Sequence, residues 1–135
     1  MRQLDDDFFV SAQVQPDQLA DLAAQGIRTL INNRPDGEMP GQPAGESVRA
    51  AAEQAGIAYV AIPVTGLGRE AIADTQATLS SAERPILAFC AAGTRSTYLW
   101  ALARAQLGDD PETLFEQAAA AGYDLSPVRA FLAQS

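Results

Sequence analysis

Ile86-Leu87-Ala88-Phe89-Cys90-Ala91-Ala92-Gly93-Thr94-Arg95-Ser96 reads as an apolar strand that delivers the chain's only cysteine to a glycine-containing turn and then into a helix. In parallel α/β sheets, ligands bind at the carboxyl ends of the strands, so Cys90 stands where chemistry is expected. The turn suits an anion. The backbone N–H groups of Ala91, Ala92, Gly93, Thr94 and Arg95 can curl around one centre, and the N-terminus of the following helix adds positive potential. Arg95 can reach back and offer a bidentate fork to an oxyanion. Gly93 permits the tight curvature, and the Ser96 hydroxyl can donate to a thiolate or to a leaving sulfur. A thiol in such a cradle ionises readily, its pKa falling from roughly 8.5 into a range of about 3.5–7.5. Taken singly, a cysteine in an apolar strand is a small buried hydrophobe and an arginine early in a helix is solvated. Their combination at this spacing points to a reactive-cysteine anion loop.

Outward from this stretch, β-like and helix-like runs alternate. Phe8–Ser11 is rich in β-formers. Pro16-Asp17 opens a helical spacing of Leu19, Leu22 and Ala23 that Gly26 closes. Residues 27–33 read as a buried strand. Arg34–Gly45 carries three prolines and three glycines and is a loop whose length suggests a binding or lid role. Glu46–Gln54 is helical, Ile57–Ile62 a strand stopped by Pro63, Gly66–Gly68 a loop, and Glu70–Ala82 a helix. Pro85–Cys90 is the next strand and Thr94–Leu107 a long helix, on which Leu99, Trp100, Ala103 and Leu107 are expected to bury against the sheet. After Gly108 the pattern is all helical, over Pro111–Ala121 and Pro127–Gln134, with Asp110 as the expected cap of the first. Asp5-Asp6-Asp7 reads as a solvated turn. The expectation is a single α/β domain over residues 1–135, with a mainly parallel central sheet flanked by helices and a helical C-terminal end.

Composition narrows the chemistry. The 135 residues hold 9 basic and 17 acidic side chains for a formal charge of −8, and every base is arginine. Such a surface repels phosphate backbones and anionic lipid heads, which argues against nucleic-acid and membrane-surface roles. One cysteine and no histidine exclude an internal disulfide, the usual zinc and haem ligand sets, and a Ser-His-Asp triad. No metal or other cofactor is expected. Apolar runs such as Ile86–Ala92 are far shorter than the roughly 20 residues of a membrane helix. The opening Met1-Arg2-Gln3-Leu4-Asp5-Asp6-Asp7 is acidic where a secretory leader is basic and then apolar. A reducing, cytoplasmic setting is expected, and it suits a thiol that must stay free.

The chain resembles the phosphatase-like domain family of beta-lactamase-hydrolase-like proteins, small bacterial relatives of dual-specificity phosphatases that also carry a rhodanese-like label. The resemblance rests on Phe9-Val10-Ser11-Ala12-Gln13, Asn32-Asn33-Arg34-Pro35-Asp36-Gly37-Glu38, Gly41-Gln42-Pro43, Tyr59-Val60-Ala61-Ile62-Pro63-Val64 and the Cys90–Ser96 loop, and it extends through Leu107. It implies a cysteine-phosphatase-like α/β fold, Cys90 as nucleophile and Arg95 as oxyanion binder. It also implies a sulfur-metabolism setting, because fused relatives join this domain to a persulfide-oxidising partner of metallo-β-lactamase fold.

Several residues depart from the phosphatase pattern. Four residues separate Cys90 from Arg95, one fewer than in protein tyrosine phosphatases, and the shorter ring resembles the rhodanese loop sized for sulfur. Phe89 stands where a histidine commonly precedes the cysteine. Thr65-Gly66-Leu67-Gly68 holds no carboxylate where a general-acid aspartate is usual, a loss worth roughly 10²–10⁴ in rate. Asp36 is the best substitute acid, although an aspartate before glycine is also an ordinary turn residue. Arg34 is a second anion-facing candidate, Glu38 a weaker one, and Asn32 and Asn33 can satisfy backbone groups at a strand end.

Three functions are compatible with these residues. A cysteine-dependent phosphatase would form a phosphocysteine on Cys90, with Arg95 and the amides of Ala91, Ala92, Gly93 and Thr94, together with Ser96, holding the oxyanions of a small or phosphorylated substrate. A rhodanese-type sulfurtransferase would carry a persulfide on Cys90, taken from a sulfane-sulfur donor and passed to an external acceptor. A non-catalytic module would bind phosphate or sulfate with the same loop.

Overall fold

A computed structural model of the chain describes residues 1–133. Strands β1 (Arg2–Asp5), β2 (Phe8–Ser11), β3 (Thr29–Asn32), β4 (Ala58–Ala61) and β5 (Ile86–Phe89) form one sheet in the order β1-β2-β5-β3-β4. The pairs β2–β5, β5–β3 and β3–β4 are parallel and β1–β2 is antiparallel, so the sheet is mixed and mainly parallel. The helices are α1 (Leu19–Ala24), α2 (Gly45–Gln54), α3 (Arg69–Ser81), α4 (Thr94–Gln106), α5 (Pro111–Ala120) and α6 (Arg129–Leu132), with 3-10 turns at Pro16–Gln18 and Ser126–Val128. Among the described residues, no helix is long and apolar enough to cross a membrane.

Both faces of the sheet are covered, which is why β3 and β5 are buried at every residue and read as continuous apolar runs. Side chains alternate across a strand. Leu30, Leu87 and Phe89 therefore pack with Leu19, Leu22, Val48 and Ala52 of α1 and α2. Ile31, Ile86 and Ala88 pack on the other face with Ile72, Leu79, Leu99 and Trp100 of α3 and α4. Helix α4 is buried over most of its circumference, because α3 lies on one side and the C-terminal helices on the other. Its sequence is accordingly apolar well beyond one stripe.

Several details differ from the sequence reading. β1 was not expected: only Leu4 of its four residues is buried, and pairing with β2 supplies the order that its composition does not. Asp5 ends that strand, and its carboxylate accepts the Trp100 indole N–H at 3.2 Å rather than lying in a solvated turn. Leu107 is 49% exposed because α4 ends at Gln106 and the chain turns away there. Asp110 occupies the N-cap position of α5, but its carboxylate makes no bond to the helix's backbone N–H groups and instead accepts from the Thr113 hydroxyl at 3.3 Å. The expected last helix divides into the 3-10 turn and α6, and its end at Gln134 lies outside the described residues.

Candidate active site

β5 sits between β2 and β3, and its carboxyl end brings Cys90 into line with the ends of both neighbours. The Cys90 N–H donates to Ser11 O (3.4 Å) and the Asn33 N–H to Phe89 O (2.8 Å). The chain then turns at Gly93, whose φ of +90° lies in the left-handed region that suits glycine, and α4 begins at Thr94 with its N-terminus toward the loop.

The Gly93 N–H donates to the Cys90 sulfur at 3.1 Å. Residue 90 is only 1% exposed, yet its surroundings are polar. Burial pushes the thiol up, but the N–H groups of Ser96, Ala92 and Gly93 favour the anion, and the net displacement is downward. That is the balance expected when hydrogen bonds to the charged form outweigh desolvation. Ala91 and Ala92 are exposed on the outside of the turn, and Thr94 is half-buried in the first turn of α4.

Arg95 faces the same centre. Its Nη1 donates to Glu38 Oε2 (2.6 Å) and to Val64 O (2.8 Å), and its Nη2 donates to Glu38 Oε1 (2.9 Å). A guanidinium has five N–H donors, so among the described residues Nε–H and the second Nη2–H remain. These two lie on one edge of the group, a side-on fork for an oxyanion. Glu38 raises the Arg95 pKa above its ordinary value, and a Cys90 thiolate adds to that effect.

Glu38 is the residue that sequence reasoning undervalued. Its carboxylate also accepts from Arg34 Nε at 2.9 Å, and the two guanidinium groups, Arg95 first and Arg34 second, hold it at about pKa 2. It is therefore an anion at neutral pH and a clamp on Arg95. Arg34 is 8% exposed, and its Nη1 donates to Gln13 Oε1 (3.1 Å). It thus faces Glu38 and positions it. No local signal in the sequence links Glu38 to an arginine 57 residues away.

The remaining predicted residues fall into place by their hydrogen bonds. Asn33 Nδ2 donates to Ile62 O (2.9 Å), which leaves Oδ1 to accept the Ser96 hydroxyl proton (2.8 Å). The hydroxyl expected on the sulfur is therefore turned to Asn33, while the Ser96 backbone N–H serves Cys90. Asn32 Oδ1 accepts from the Arg34 N–H, and its Nδ2 donates to the Tyr59 hydroxyl. Asp36 Oδ1 accepts the Gly45 N–H at 2.8 Å, which ties Asp36 to the start of α2. Among the described residues, no group of three or more His, Cys, Asp or Glu side chains is placed to hold a metal ion.

Comparison with known proteins identifies the family and the fold. Residues 1–107 match the family described as beta-lactamase hydrolase-like protein, phosphatase-like domain. A beta-lactamase hydrolase-like protein of Xylella fastidiosa is 39% identical over 95 residues, 69% of this chain and 22% of that one. The chain thus spans about a fifth of the length of the curated relatives it matches. A candidate phosphatase from Neisseria meningitidis superposes with a TM-score of 0.86 at 32% identity, covering 98% of this chain and 96% of that one. A kinase-associated phosphatase with serine in place of its catalytic cysteine shares the fold alone, with a TM-score of 0.70 at 16% identity over 87% of this chain and 72% of that one. The architecture is that of dual-specificity and protein-tyrosine-phosphatase-like proteins.

Proposed function

Since the chain belongs to the family of phosphatase-like domains of beta-lactamase hydrolase-like proteins, we propose that it is a cysteine-dependent phosphatase acting on small phosphate monoesters. One observation carries this reading: Glu38 and Val64 O occupy three of the Arg95 donors and leave a free two-donor edge, while the Gly93 N–H is trained on the Cys90 sulfur. A preorganised ring of donors of this kind stabilises charge that develops on transferring phosphoryl oxygens.

In the proposed reaction the Cys90 thiolate attacks phosphorus in line. The P–S bond forms as the ester P–O bond breaks, and the leaving oxygen departs with the electron pair and takes a proton from solvent. Water then attacks phosphorus, the P–S bond breaks, sulfur returns to thiolate, and the water's proton passes to solvent. The fork on Arg95 and the loop amides hold the equatorial oxygens in both steps.

No carboxyl group is assigned to leaving-group protonation. Glu38 is ionised at neutral pH, and Asp36 serves the α2 N-terminus. Esters with good leaving groups, such as aryl phosphates, are therefore the preferred substrates.

A second reading is sulfur transfer, favoured by the four-residue spacing from Cys90 to Arg95. The thiolate would attack the outer sulfur of thiosulfate, forming a Cys90 persulfide as sulfite leaves with the electron pair. With no second cysteine in the chain, an external thiolate or cyanide must accept that sulfur. A persulfide-oxidising partner of metallo-β-lactamase fold would fit this version.

Intact-mass measurement separates the readings. The protein is mixed with an aryl phosphate or with thiosulfate, and product release is followed in parallel. A phosphoryl adduct lost in Cys90→Ser, together with free phosphate, is expected. A persulfide adduct and thiocyanate formation with cyanide would replace the first reading by the second. Absence of adduct and product with both reagents would overturn the enzymatic readings and leave an anion-binding module.

A further inference from the structure

Tyr123 lies beyond residues 1–107, the part that matches the family, yet it touches the Cys90 loop. Its hydroxyl donates to Ala92 O at 3.2 Å, slightly longer than the usual range of about 2.5–3.0 Å for a hydroxyl donor. A Cβ added to Gly93 would come within 2.2 Å of the same hydroxyl oxygen, so the phenol is seated directly against the turn. Ala92 C=O and Gly93 N–H belong to one planar trans peptide and point in opposite directions. The Tyr123 hydroxyl binds one end of that unit and the Cys90 sulfur the other.

We propose that Tyr123 is a positioning residue for the Cys90 sulfur, its hydroxyl holding the Ala92–Gly93 peptide with the carbonyl outward and the N–H on the sulfur. The proposal rests on the reading of Cys90 as a thiolate nucleophile and adds a C-terminal residue to that site. Two effects follow from one bond. The peptide is kept from rotating its carbonyl toward the anion, and the hydrogen bond on oxygen polarises the amide so that its N–H becomes a better donor.

The surroundings hold Tyr123 in this role. Gly122, at φ +93°, turns the chain back after α5, and the Tyr123 N–H donates to Ala118 O at 2.9 Å. From β1, Arg2 Nη1 donates to Ala121 O at 2.7 Å, and its guanidinium lies 5.8 Å from the centre of the Tyr123 ring. The next side chain after Tyr123 on that side, Leu125, is fully buried and anchors the segment. Burial and the charge on Cys90 raise the phenol's pKa against the opposing effect of Arg2, so the hydroxyl is a protonated donor at neutral pH.

The charged and titratable groups to be reckoned with are few. Arg95 on α4 faces Cys90 directly, Tyr123 and Arg2 stand on the C-terminal and β1 side, and Glu38 reaches the sulfur only through Arg95. Removing the Tyr123 hydroxyl alters one of these contacts and leaves the charges of the others unchanged.

The test is the pH profile of Cys90 alkylation by iodoacetamide in the full chain, which needs no substrate. In Tyr123→Phe the profile should move about half a pH unit upward, seen as a roughly threefold loss of rate on its low-pH limb. Site-specific 3-fluorotyrosine at position 123, measured below its own ionisation, is a stronger donor and should move the profile the other way. This second protein keeps the side chain's packing, so it decides the matter even if Tyr123→Phe proves unstable. Unchanged profiles in both would overturn the role of Tyr123. A wild-type profile at or above that of an ordinary cysteine would instead overturn the thiolate reading itself.

Discussion

Glu38 shares one negative charge between two guanidinium groups, and the functional geometry at Arg95 depends on it. Without that carboxylate the arginine would be free to swing, and its two unengaged donors would no longer point along a fixed edge. A displacement of about 1 Å at such a group can cost on the order of 10²-fold in rate. Glu38→Gln, which keeps the shape and weakens the clamp, should therefore lower kcat for an aryl phosphate by about 10–100-fold, measured by steady-state kinetics. The same substitution has a pH signature. The folded-state pKa of Glu38 is depressed to about 2 from an ordinary value of 4.5, so its contribution to stability is present above 4.5 and is lost as pH falls through 2. Urea unfolding should show wild type above Glu38→Gln in stability at pH 6, with the two converging as the pH falls toward 2 and below.

At the scale of elements, the site is made where one strand ends and one helix begins, and the two long loops are fastened to that junction by side chains. Asp36 shows how a residue chosen for chemistry can be claimed by structure. The Arg34–Gly45 loop must lead into α2, whose first N–H groups lack intrahelical partners, and the Asp36 carboxylate takes the one at Gly45. Asp36→Ala should cost about 0.5–2 kcal/mol by urea denaturation, as for other lost helix caps, while the pH–rate profile for an aryl phosphate keeps its shape. Loss of a basic limb in that variant would restore Asp36 as the proton donor. β1 illustrates the opposite difficulty. Arg2-Gln3-Leu4-Asp5 carries one buried apolar side chain and has no strand signal of its own, because an antiparallel edge strand draws its order from the neighbour it pairs with.

For the whole molecule, the C-terminal helices form an outer layer over α4 and bring Tyr123 against the Cys90 loop. Leu125, fully buried in the core on this side of the sheet, should behave as an ordinary core residue. Leu125→Ala is expected to destabilise the fold by about 2–5 kcal/mol in denaturant titrations. If the layer also supports the site, that variant should slow Cys90 alkylation at low pH in the direction expected for Tyr123→Phe.

What could be read from consecutive residues was the alternation of strands and helices and the Cys90–Arg95 loop. Burial on both faces turns central strands into unbroken apolar runs, and a strand, turn and helix in succession place their own amides around a point. The partners of that loop could not be read in this way. Glu38, Val64, Asn33 and Tyr123 come from separate parts of the chain, and each is selected by where a free donor or acceptor happens to face after packing. Sequence determined that a tight cysteine-to-arginine loop joins β5 to α4. Tertiary structure decided which side chains hold its arginine, its serine and its central peptide, because hydrogen bonds between distant residues depend on distances and directions that appear only when the sheet and its helices have closed around them.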